Sequence, residues 1–391
     1  MANSALVFMN DDPTESNNIR AQDEGRGREV SLGQQPFKER IKVVGIGGGG
    51  NNALDHIIRS GASGVEFLAI NTDANCLAKC LSAEKLVIGE KLTSGHGAGA
   101  KPEIGEQAAN ESRAAIRECL KGCDMVYLAA GMGGGTGTGA LPVVASIAKD
   151  MGILTVSVVT RPFSFEGKKR ALYANTGIEK TKSIVDALIV VPNDRLLALS
   201  DRTTPITEAF AMADGILRQA VQSVTDLVTK PGQVNVDFAD LKSIMKHSGG
   251  AVMGVGSGKG ETRTDDALKR AMESPLMESS ISGAKGVILN VTASPDIGLL
   301  EVQYAAMKLQ DNIDPDANFK WGFVCDENMG HDASDEIQMV VIATGFNMKP
   351  EAAPQTPDLK LQKASFPEAE GFMSVDSPLD TPSYLRRQQR K

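Results

Sequence analysis

The sequence predicts an α/β fold: a Rossmann-like domain with a parallel sheet, then a long central helix, then a smaller C-terminal α/β domain. Three observations support this prediction. Apolar runs typical of buried strands alternate with helical patterns from about residue 40 onwards. Two glycine-rich segments each follow a predicted strand and precede a predicted helix. One long helical pattern with clear start and stop signals separates two sets of strands.

The composition indicates a soluble globular protein rather than a disordered or membrane-spanning one. The chain has 391 residues, 41% of them hydrophobic and 23% charged, which suits two domains. A net charge of -8 at pH 7 provides no basic field, so we expect no nucleic acid partner. No signal-peptide pattern is present, and no apolar run reaches the roughly 18 to 20 residues of a spanning helix, so we expect no direct membrane insertion.

The cysteine and histidine content gives no reason to expect a structural metal site. Five cysteines are an odd number, and they favour reduced thiols in the cytoplasm. The two C-x3-C pairs differ from the usual C-x2-C zinc spacing, and the four histidines are scattered.

The first predicted domain spans residues 40–203 and follows a polar segment, 1–39, that we expect to be disordered. Its near-continuous apolar runs favour strands buried on both faces, as in a parallel sheet. These runs are residues 41–44, 65–70, 125–130, 153–159 and 187–191.

The second half of the chain begins with the predicted central helix, 204–232, which opens at Thr204-Pro205 and ends at Lys230-Pro231-Gly232. A smaller domain, 233–346, follows it, and residues 347–375 are predicted to be a disordered linker before the terminal segment 376–391. In the smaller domain, strands are predicted at 250–255, 286–291, 321–325 and 338–343, and helices at 265–272 and 299–309.

The two glycine-rich segments, Gly45–Asn52 and Gly131–Gly139, predict a phosphate-binding site. Backbone N–H groups at a helix N-terminus bind phosphate oxygens, and glycine lets the ligand approach closely. Thr136 and Thr138 add hydroxyl donors. A dinucleotide needs one such loop, whereas two loops favour a nucleoside triphosphate.

Two segments of the chain partly match other nucleotide-binding motifs. Gly45-Ile-Gly-Gly-Gly-Gly50 satisfies G-x-G-x-x-G, and Asp73 ends the next predicted strand, so a dehydrogenase is an alternative. That alternative leaves the second loop unexplained. Gly256-Ser-Gly-Lys-Gly260 is not a Walker A loop, because it lacks the leading glycine and a Ser or Thr after Lys259; we predict a surface turn there.

The predicted central helix suggests selectivity for guanine. Phe210 and Asp214 are four residues apart and share one helix face. The ring can stack on a purine, and the carboxylate can accept hydrogen bonds from N1–H and the N2 amino group of guanine. A core phenylalanine beside a solvated aspartate is the alternative.

The two loops and the segments between them resemble the tubulin/FtsZ superfamily of GTPases over roughly residues 40–346. The resemblance extends to further motifs that occur in the family's order. They are Ile70–Asp73, Gly97–Glu103, Arg161–Gly167, Pro192–Asp194, Asn235–Asp240 and Ile342–Phe346. It implies that the chain binds GTP or GDP, with Mg²⁺ associated with the nucleotide.

The resemblance also implies which residues hold the nucleotide. Loop 97–100 would add γ-phosphate donors, Asn71 and Asp73 would order Mg²⁺ through water, and no dedicated metal cage is expected. Asn52 and Asn193 would assist at the base and ribose, with Glu166 and Arg170 flanking the ribose and phosphates; a solvent-facing ion pair is the alternative for the last two. The full predicted set is Gly47, Gly48, Gly49, Gly50, Asn51, Asn52, Asn71, Asp73, Gly97, Ala98, Gly99, Ala100, Gly131, Gly133, Gly134, Gly135, Thr136, Gly137, Thr138, Gly139, Glu166, Arg170, Asn193, Phe210 and Asp214.

Catalysis is assigned by the same resemblance to Asn235, Asp237 and Asp240, on the far side of the subunit and facing the nucleotide of the next one. Such a head-to-tail contact does not close on itself and so generates a filament. We therefore expect a polymerisation-dependent GTPase that forms the cytokinetic ring in bacterial cell division, in the cytoplasm at mid-cell beneath the inner membrane. The alternatives are a loop acid and a helix N-cap for the two aspartates, and a nucleotide-binding filament protein with little hydrolysis.

The terminal residues Leu379–Lys391 combine apolar anchors with a basic cluster. They resemble the family's C-terminal docking peptide, which implies that membrane-tethering adaptors and division regulators bind there.

Overall fold

The computed structural model describes one of the two compact units of the chain, Met1–Asn347; the other unit, Met348–Lys391, lies outside the described residues. So do the predicted N-terminal segment, most of the predicted central helix with Phe210 and Asp214, and Asn235. The described residues are 39–59, 61–62, 64–197, 215, 218–219, 221–222, 225, 232–234, 236–246, 248–274, 277, 281–326 and 336–345.

The described residues form ten strands and eleven α-helices, which confirms the predicted α/β class. The strands are β1 Ile41–Ile46, β2 Glu66–Asn71, β3 Glu84–Val87, β4 Met125–Gly131, β5 Leu154–Arg161, β6 Ala187–Pro192, β7 Gly249–Lys259, β8 Gly286–Ala293, β9 Asn318–Cys325 and β10 Glu336–Thr344. The helices are α1 Gly47–Arg59, α2 Ala74–Lys79, α3 Glu90–Thr93, α4 Pro102–Glu111, α5 Arg113–Cys119, α6 Thr136–Asp150, α7 Lys168–Lys182, α8 Asp194–Leu197, α9 Phe238–Met245, α10 Arg263–Met272 and α11 Leu299–Gln310.

All ten strands lie in one sheet, in the order β3-β2-β1-β4-β5-β6-β7-β10-β8-β9. The first six are parallel and have the Rossmann order, which reverses between β1 and β4. Ligands of such sheets bind outside the carboxyl ends of the strands at this reversal. Both glycine-rich segments leave the sheet there, one after β1 and one after β4.

The strands of the second predicted domain continue the same sheet. β7 pairs in parallel with β6 over three residues, Gly249–Ala251 against Ala187–Ile189. β10 runs antiparallel to both β7 and β8, and β9 is parallel to β8. It follows that β6, β7, β8 and β9 all begin at the same edge of the sheet, which we call the amino edge. The carboxyl ends of β1 to β6 lie at the opposite edge, which we call the carboxyl edge.

Helices cover both faces of the six parallel strands, so their apolar runs are buried on each side. Residues of α1 and α9 pack on one face, and residues of α4 to α7 pack on the other. All six residues of β1 are buried. This two-sided burial is the reason that these strands could be recognised from continuous apolar runs. β3 was not predicted, because Glu84-Lys-Leu-Val87 is short and half of its residues are charged.

The segment Gly256–Gly260 is not a surface turn, contrary to the prediction. Residues 256–259 belong to β7 and pair with β10. A Cβ added to Gly254, Gly256 or Gly258 would lie within 2.1 Å of a carbonyl oxygen of Ala271, Ala267 or Arg263. Alternate glycines therefore let α10 pack directly on the backbone of β7.

No helix in the described parts of the chain is both long and apolar enough to cross a bilayer.

Candidate functional site

The two glycine-rich loops touch each other at the carboxyl edge. A Cβ added to Gly47, whose φ is +71°, would lie 2.8 Å from the backbone nitrogen of Gly137. One added to Gly49 would lie 3.2 Å from the Cα of Gly131. Glycine is required at these contacts because any side chain would force the loops apart.

A third segment, Gly97–Lys101, closes the same region. A Cβ on Gly135 would lie 2.8 Å from the Cβ of Ala98 and 2.9 Å from the backbone nitrogen of Lys101. Gly99 and Ala100 both have φ of +57°, and both are exposed. A left-handed alanine is a strained conformation that costs about 1–2 kcal/mol, so this exposed loop is held in an unusual shape beside the second glycine loop.

Three glycines of these loops face open space instead of protein. A Cβ on Gly48, Gly99 or Gly134 would meet no atom within 4 Å. Gly48 lies in the first turn of α1, and Gly134 lies two residues before α6 begins at Thr136, so the N-termini of two helices border this space. Such an arrangement suits a polyphosphate.

The two threonines of the second loop have different environments. Thr138 is buried, and its hydroxyl accepts the Gly133 N–H at 2.8 Å, which braces the loop from inside. Thr136 is half-buried and shares a 2.7 Å hydrogen bond with the hydroxyl of Thr72, a residue that follows β2. The Thr136 hydroxyl is therefore the one nearer the surface of the cleft.

Asn51 holds the first loop to the sheet, whereas Asn52 is exposed. The Asn51 side chain is buried. With its nitrogen facing the carbonyls, its amide donates to the backbone oxygens of Gly45 at 3.0 Å, Gly47 at 2.7 Å and Ile70 at 3.2 Å. Asn51 thus fixes the loop that borders the open space.

Asn71 and Asp73 follow β2 into the same region. The Asn71 Oδ1 accepts the Asp73 N–H at 3.2 Å. Asp73 is the N-cap of α2: its Oδ1 accepts the N–H groups of Asn75 at 2.9 Å and Cys76 at 3.1 Å. The hydrogen bond from the Cys76 N–H is the main reason that the pKa of Asp73 is lowered, so the group is a carboxylate at neutral pH.

The fit of these groups to a magnesium ion follows from its usual chemistry. Mg²⁺ bound to a nucleotide keeps several waters and needs only one or two carboxylates. Asp73 is one such carboxylate, and its second oxygen, Oδ2, faces the third segment, where a Cβ placed on Gly97 would lie 3.9 Å from it. No cluster of three or more His, Cys, Asp or Glu side chains suited to a metal occurs among the described residues.

Glu166 and Arg170 form an ion pair beside the second loop. Glu166 ends a short 3-10 helix, Ser164–Glu166, and its Oε1 accepts the Phe163 N–H at 2.9 Å. Arg170 lies in the first turn of α7, and a Cβ on Gly133 would lie 2.9 Å from its carbonyl oxygen. The backbone of Arg170 therefore lies against the second glycine-rich loop, whereas its side chain in the ion pair is about half exposed.

Asn193 lies at the carboxyl end of β6 and is buried. Its backbone N–H donates to the Arg161 carbonyl at 3.3 Å. Its side-chain Oδ1 has no hydrogen-bond partner in the described structure. A buried acceptor without a partner is unfavourable, and a bound ligand can satisfy it.

Asp237 and Asp240 lie at the amino edge, away from the phosphate loops. Asp237 is the N-cap of α9, and its Oδ1 accepts the Asp240 N–H at 2.6 Å. Asp240 forms an ion pair with Lys320, the third residue of β9, at 2.8 Å. Within one chain the structure thus brings the glycine loops together but leaves these two acids at the opposite edge.

Sequence reasoning missed two residues that the structure adds to these sites. Thr72 lies within the recognised motif Ile70–Asp73, so it could have been named as a candidate. Its hydrogen bond to Thr136 could not be predicted from the motif. Lys320 is 80 residues from Asp240, and no local pattern connects the two.

Family comparisons agree with this geometry. The Tubulin/FtsZ family GTPase domain matches residues 40–201, and the FtsZ family C-terminal domain matches residues 249–347. A solved structure of an empty FtsZ dimer from M. jannaschii is 41% identical, with a TM-score of 0.74 over 80% of this chain and 89% of that chain.

More distant structures share the fold. CetZ2 from Haloferax volcanii, solved as a GTPγS-bound protofilament, is 20% identical, with a TM-score of 0.65 over 78% of this chain and 92% of that chain. The GDP-bound CetZ1 monomer from the same organism is 18% identical, with a TM-score of 0.69 over 80% and 96%.

An α/β sheet of Rossmann order with two touching glycine-rich loops, matched by a GTPase-domain family, defines a nucleotide-binding protein. The chain belongs to the tubulin/FtsZ family and contains that family's GTPase domain.

Proposed function

We propose that this GTPase assembles head to tail, and that its active site is completed by the next subunit. The observation that supports this most directly is the separation within one chain. The phosphate loops lie at the carboxyl edge, and Asp237 and Asp240 lie at the amino edge of the same sheet. Acids so placed reach a nucleotide only if a second copy brings them to it.

In this proposal the nucleotide occupies the space bordered by Gly48, Gly99 and Gly134. Backbone amides of α1 and α6 bind the phosphates. The buried Oδ1 of Asn193 accepts a hydrogen bond from the ribose or the base. Asn71 and Asp73 would hold the waters of a magnesium ion, which would supply positive charge to the phosphates. Phe210 and Asp214 would select guanine.

The acids of the second subunit would act on water. A carboxylate of Asp240 or Asp237 accepts a proton as the water oxygen bonds to the γ-phosphorus, and the bond from that phosphorus to the β–γ bridging oxygen breaks. The products are GDP and phosphate. Positioning of this water is the main task left to the protein, because the transferred group needs little other covalent chemistry.

A contact between the carboxyl edge of one copy and the amino edge of the next is heterologous, so it propagates into a filament. The dimer of the M. jannaschii relative supports self-association. We propose that these filaments form the cytokinetic ring of a dividing bacterial cell, in the cytoplasm beneath the inner membrane.

Asp240→Ala tests the division of labour between the two edges. We expect steady-state GTP turnover to fall by at least about a hundredfold, as for loss of a proton-transfer group. The affinity for GTP should stay within about twofold, because the phosphate loops lie at the other edge. Fluorescent nucleotide titration and phosphate release, both on the full chain, measure the two quantities. An equal loss of affinity and turnover would contradict the proposal.

Residues Leu379–Lys391, which lie outside the described structure, are proposed to bind membrane-tethering adaptors and division regulators. Deleting Ser383–Lys391 should leave GTP turnover and sedimentation of filaments unchanged, while an adaptor immobilised on beads no longer retains the protein. Undiminished retention would show that the docking site lies elsewhere.

A further inference from the structure

Lys320 is a cation placed directly on one of the proposed catalytic acids. Its Nζ lies 2.8 Å from Asp240 Oδ1, and the two side chains are 38% and 31% exposed. We propose that Lys320 is a positioning residue for GTP hydrolysis: it orients the Asp240 carboxylate and offsets its charge when this edge meets the neighbour's triphosphate. The inference rests on the proposed function.

The backbone groups of Asp240 are hydrogen-bonded within the first turn of α9, whereas its carboxylate is paired with Lys320. The Asp240 N–H is held by Asp237, which caps the helix. The Asp240 carbonyl accepts the Ser243 hydroxyl at 2.8 Å. Of the groups that the structure describes, only Lys320 is bonded to the Asp240 carboxylate.

Lys320 stands on a rigid support. It lies in β9, opposite Ile288 of β8 in a register that continues over eight residue pairs. The hydrogen bond to Asp240 raises the pKa of Lys320, so the side chain is a cation at neutral pH. Lys320, held in β9, therefore sets the orientation of the Asp240 side chain on α9.

The charge of Lys320 has an effect that differs between the free and the assembled subunit. In the free subunit the pair is partly exposed to water, and such pairs contribute little to stability. In the filament, two aspartates approach a triphosphate, and repulsion between these anions grows as water is excluded. A lysine beside Asp240 reduces that repulsion. Removing Lys320 should therefore impair assembly and turnover but leave the stability of the free subunit unchanged.

Lys320→Gln in the full chain tests this inference, with Lys320→Arg as the conservative variant. Lys259→Gln is the matched control, because it removes the same charge from another partly exposed ion pair, Lys259–Glu336, at the far end of β7. The measurements are GTP affinity, thermal unfolding of the free subunit, the protein concentration at which filaments sediment, and turnover per assembled subunit at saturating GTP.

For Lys320→Gln we expect a roughly tenfold fall in turnover per assembled subunit, since small misplacement of a reacting group costs one to two orders of magnitude. The assembly threshold should rise, and GTP affinity and unfolding temperature should match the wild type. Lys320→Arg should restore most of the turnover, and Lys259→Gln should behave as the wild type.

Wild-type turnover in Lys320→Gln, or an equal loss in Lys259→Gln, would overturn the inference while leaving the proposed function intact. A loss in Lys320→Gln that Lys320→Arg does not reduce would also overturn it. Failure of the proposed function has a different signature: Asp240→Ala would then turn over GTP as fast as the wild type, whatever Lys320 does.

Discussion

At the scale of single residues, the glycines of the phosphate loops have two separate tasks. Gly139 lets α4 and α6 pack closely, since a Cβ there would lie 1.9 Å from the Pro102 carbonyl oxygen. Gly134 has no such neighbour and faces open space. The sequence shows two similar glycines, and only the structure separates a packing role from an open, ligand-facing position.

Gly139→Ala and Gly134→Ala should therefore fail in different ways. Alanine normally stabilises a helix interior relative to glycine, but at residue 139 of α6 we expect a loss of about 1–3 kcal/mol from overpacking. Gly134→Ala should change stability by less than about 0.5 kcal/mol and weaken GTP binding. Urea unfolding and nucleotide titration measure the two effects. A stable Gly139→Ala, or a Gly134→Ala with normal affinity, would show that these roles are misassigned.

Candidate site residues could be predicted where they belong to a motif that is recognisable in the local sequence. The loop glycines and Asp73 were found because each follows a recognisable strand. The three carbonyls bound by Asn51 could not be predicted, because Gly45, Gly47 and Ile70 come together only when β1 and β2 pair.

At the scale of secondary-structure elements, α10 and α11 are joined by a buried arginine. Arg263 is buried at the start of α10. It donates to both oxygens of Glu301 on α11, each at 2.8 Å, and to Asp296 Oδ2 at 2.9 Å. Hydrogen bonds from Arg263 hold the pKa of Glu301 at about 2, and those from Ser294 and then Arg263 do the same for Asp296.

This network predicts an acid-dependent loss of stability. The pKa of each acid is lowered by folding, so its contribution is complete above the ordinary values of 3.8 and 4.5 and is lost as pH falls towards about 2. Arg263→Gln should lower the free energy of unfolding by about 2–3 kcal/mol at pH 7. This loss lies at or below the low end for breaking a buried ion pair, because both acids are partly exposed to solvent. The difference from wild type should shrink as pH falls from about 4 to about 2.

Denaturant unfolding across that pH range measures the effect. Lys308→Gln, which breaks the exposed Lys308–Asp265 pair, is the control and should leave the free energy of unfolding nearly unchanged at any pH. If the Arg263→Gln and wild-type curves stayed parallel down to pH 2, the network would not be the source of the acid sensitivity.

Most strands were predictable because burial on both faces leaves an apolar run. β7 shows where this prediction fails: Gly256 and Gly258 were placed in a turn, yet with Gly254 they allow a helix to pack on a strand. A glycine is ambiguous in sequence because the same missing Cβ serves a turn and a close contact.

At the scale of the whole molecule, the two edges of one sheet carry complementary halves of the proposed active site. The parallel sheet of β1 to β6 was implied by the alternation of strands and helices. The continuation of the sheet through β7 was not, because the pairing of β6 with β7 joins segments some 60 residues apart and spans only three residue pairs. The domain boundaries at 203, 232 and 346 therefore stay a proposal.

The most direct test of the split active site is the rate of phosphate release from GTP, measured against protein concentration with Mg²⁺, with ATP as the control nucleotide. A site completed between subunits predicts little turnover below a threshold concentration. Above it, GTP-specific activity should rise cooperatively as filaments become sedimentable. A specific activity that is constant at all concentrations would mean that one chain contains the whole active site, and it would contradict the central claim.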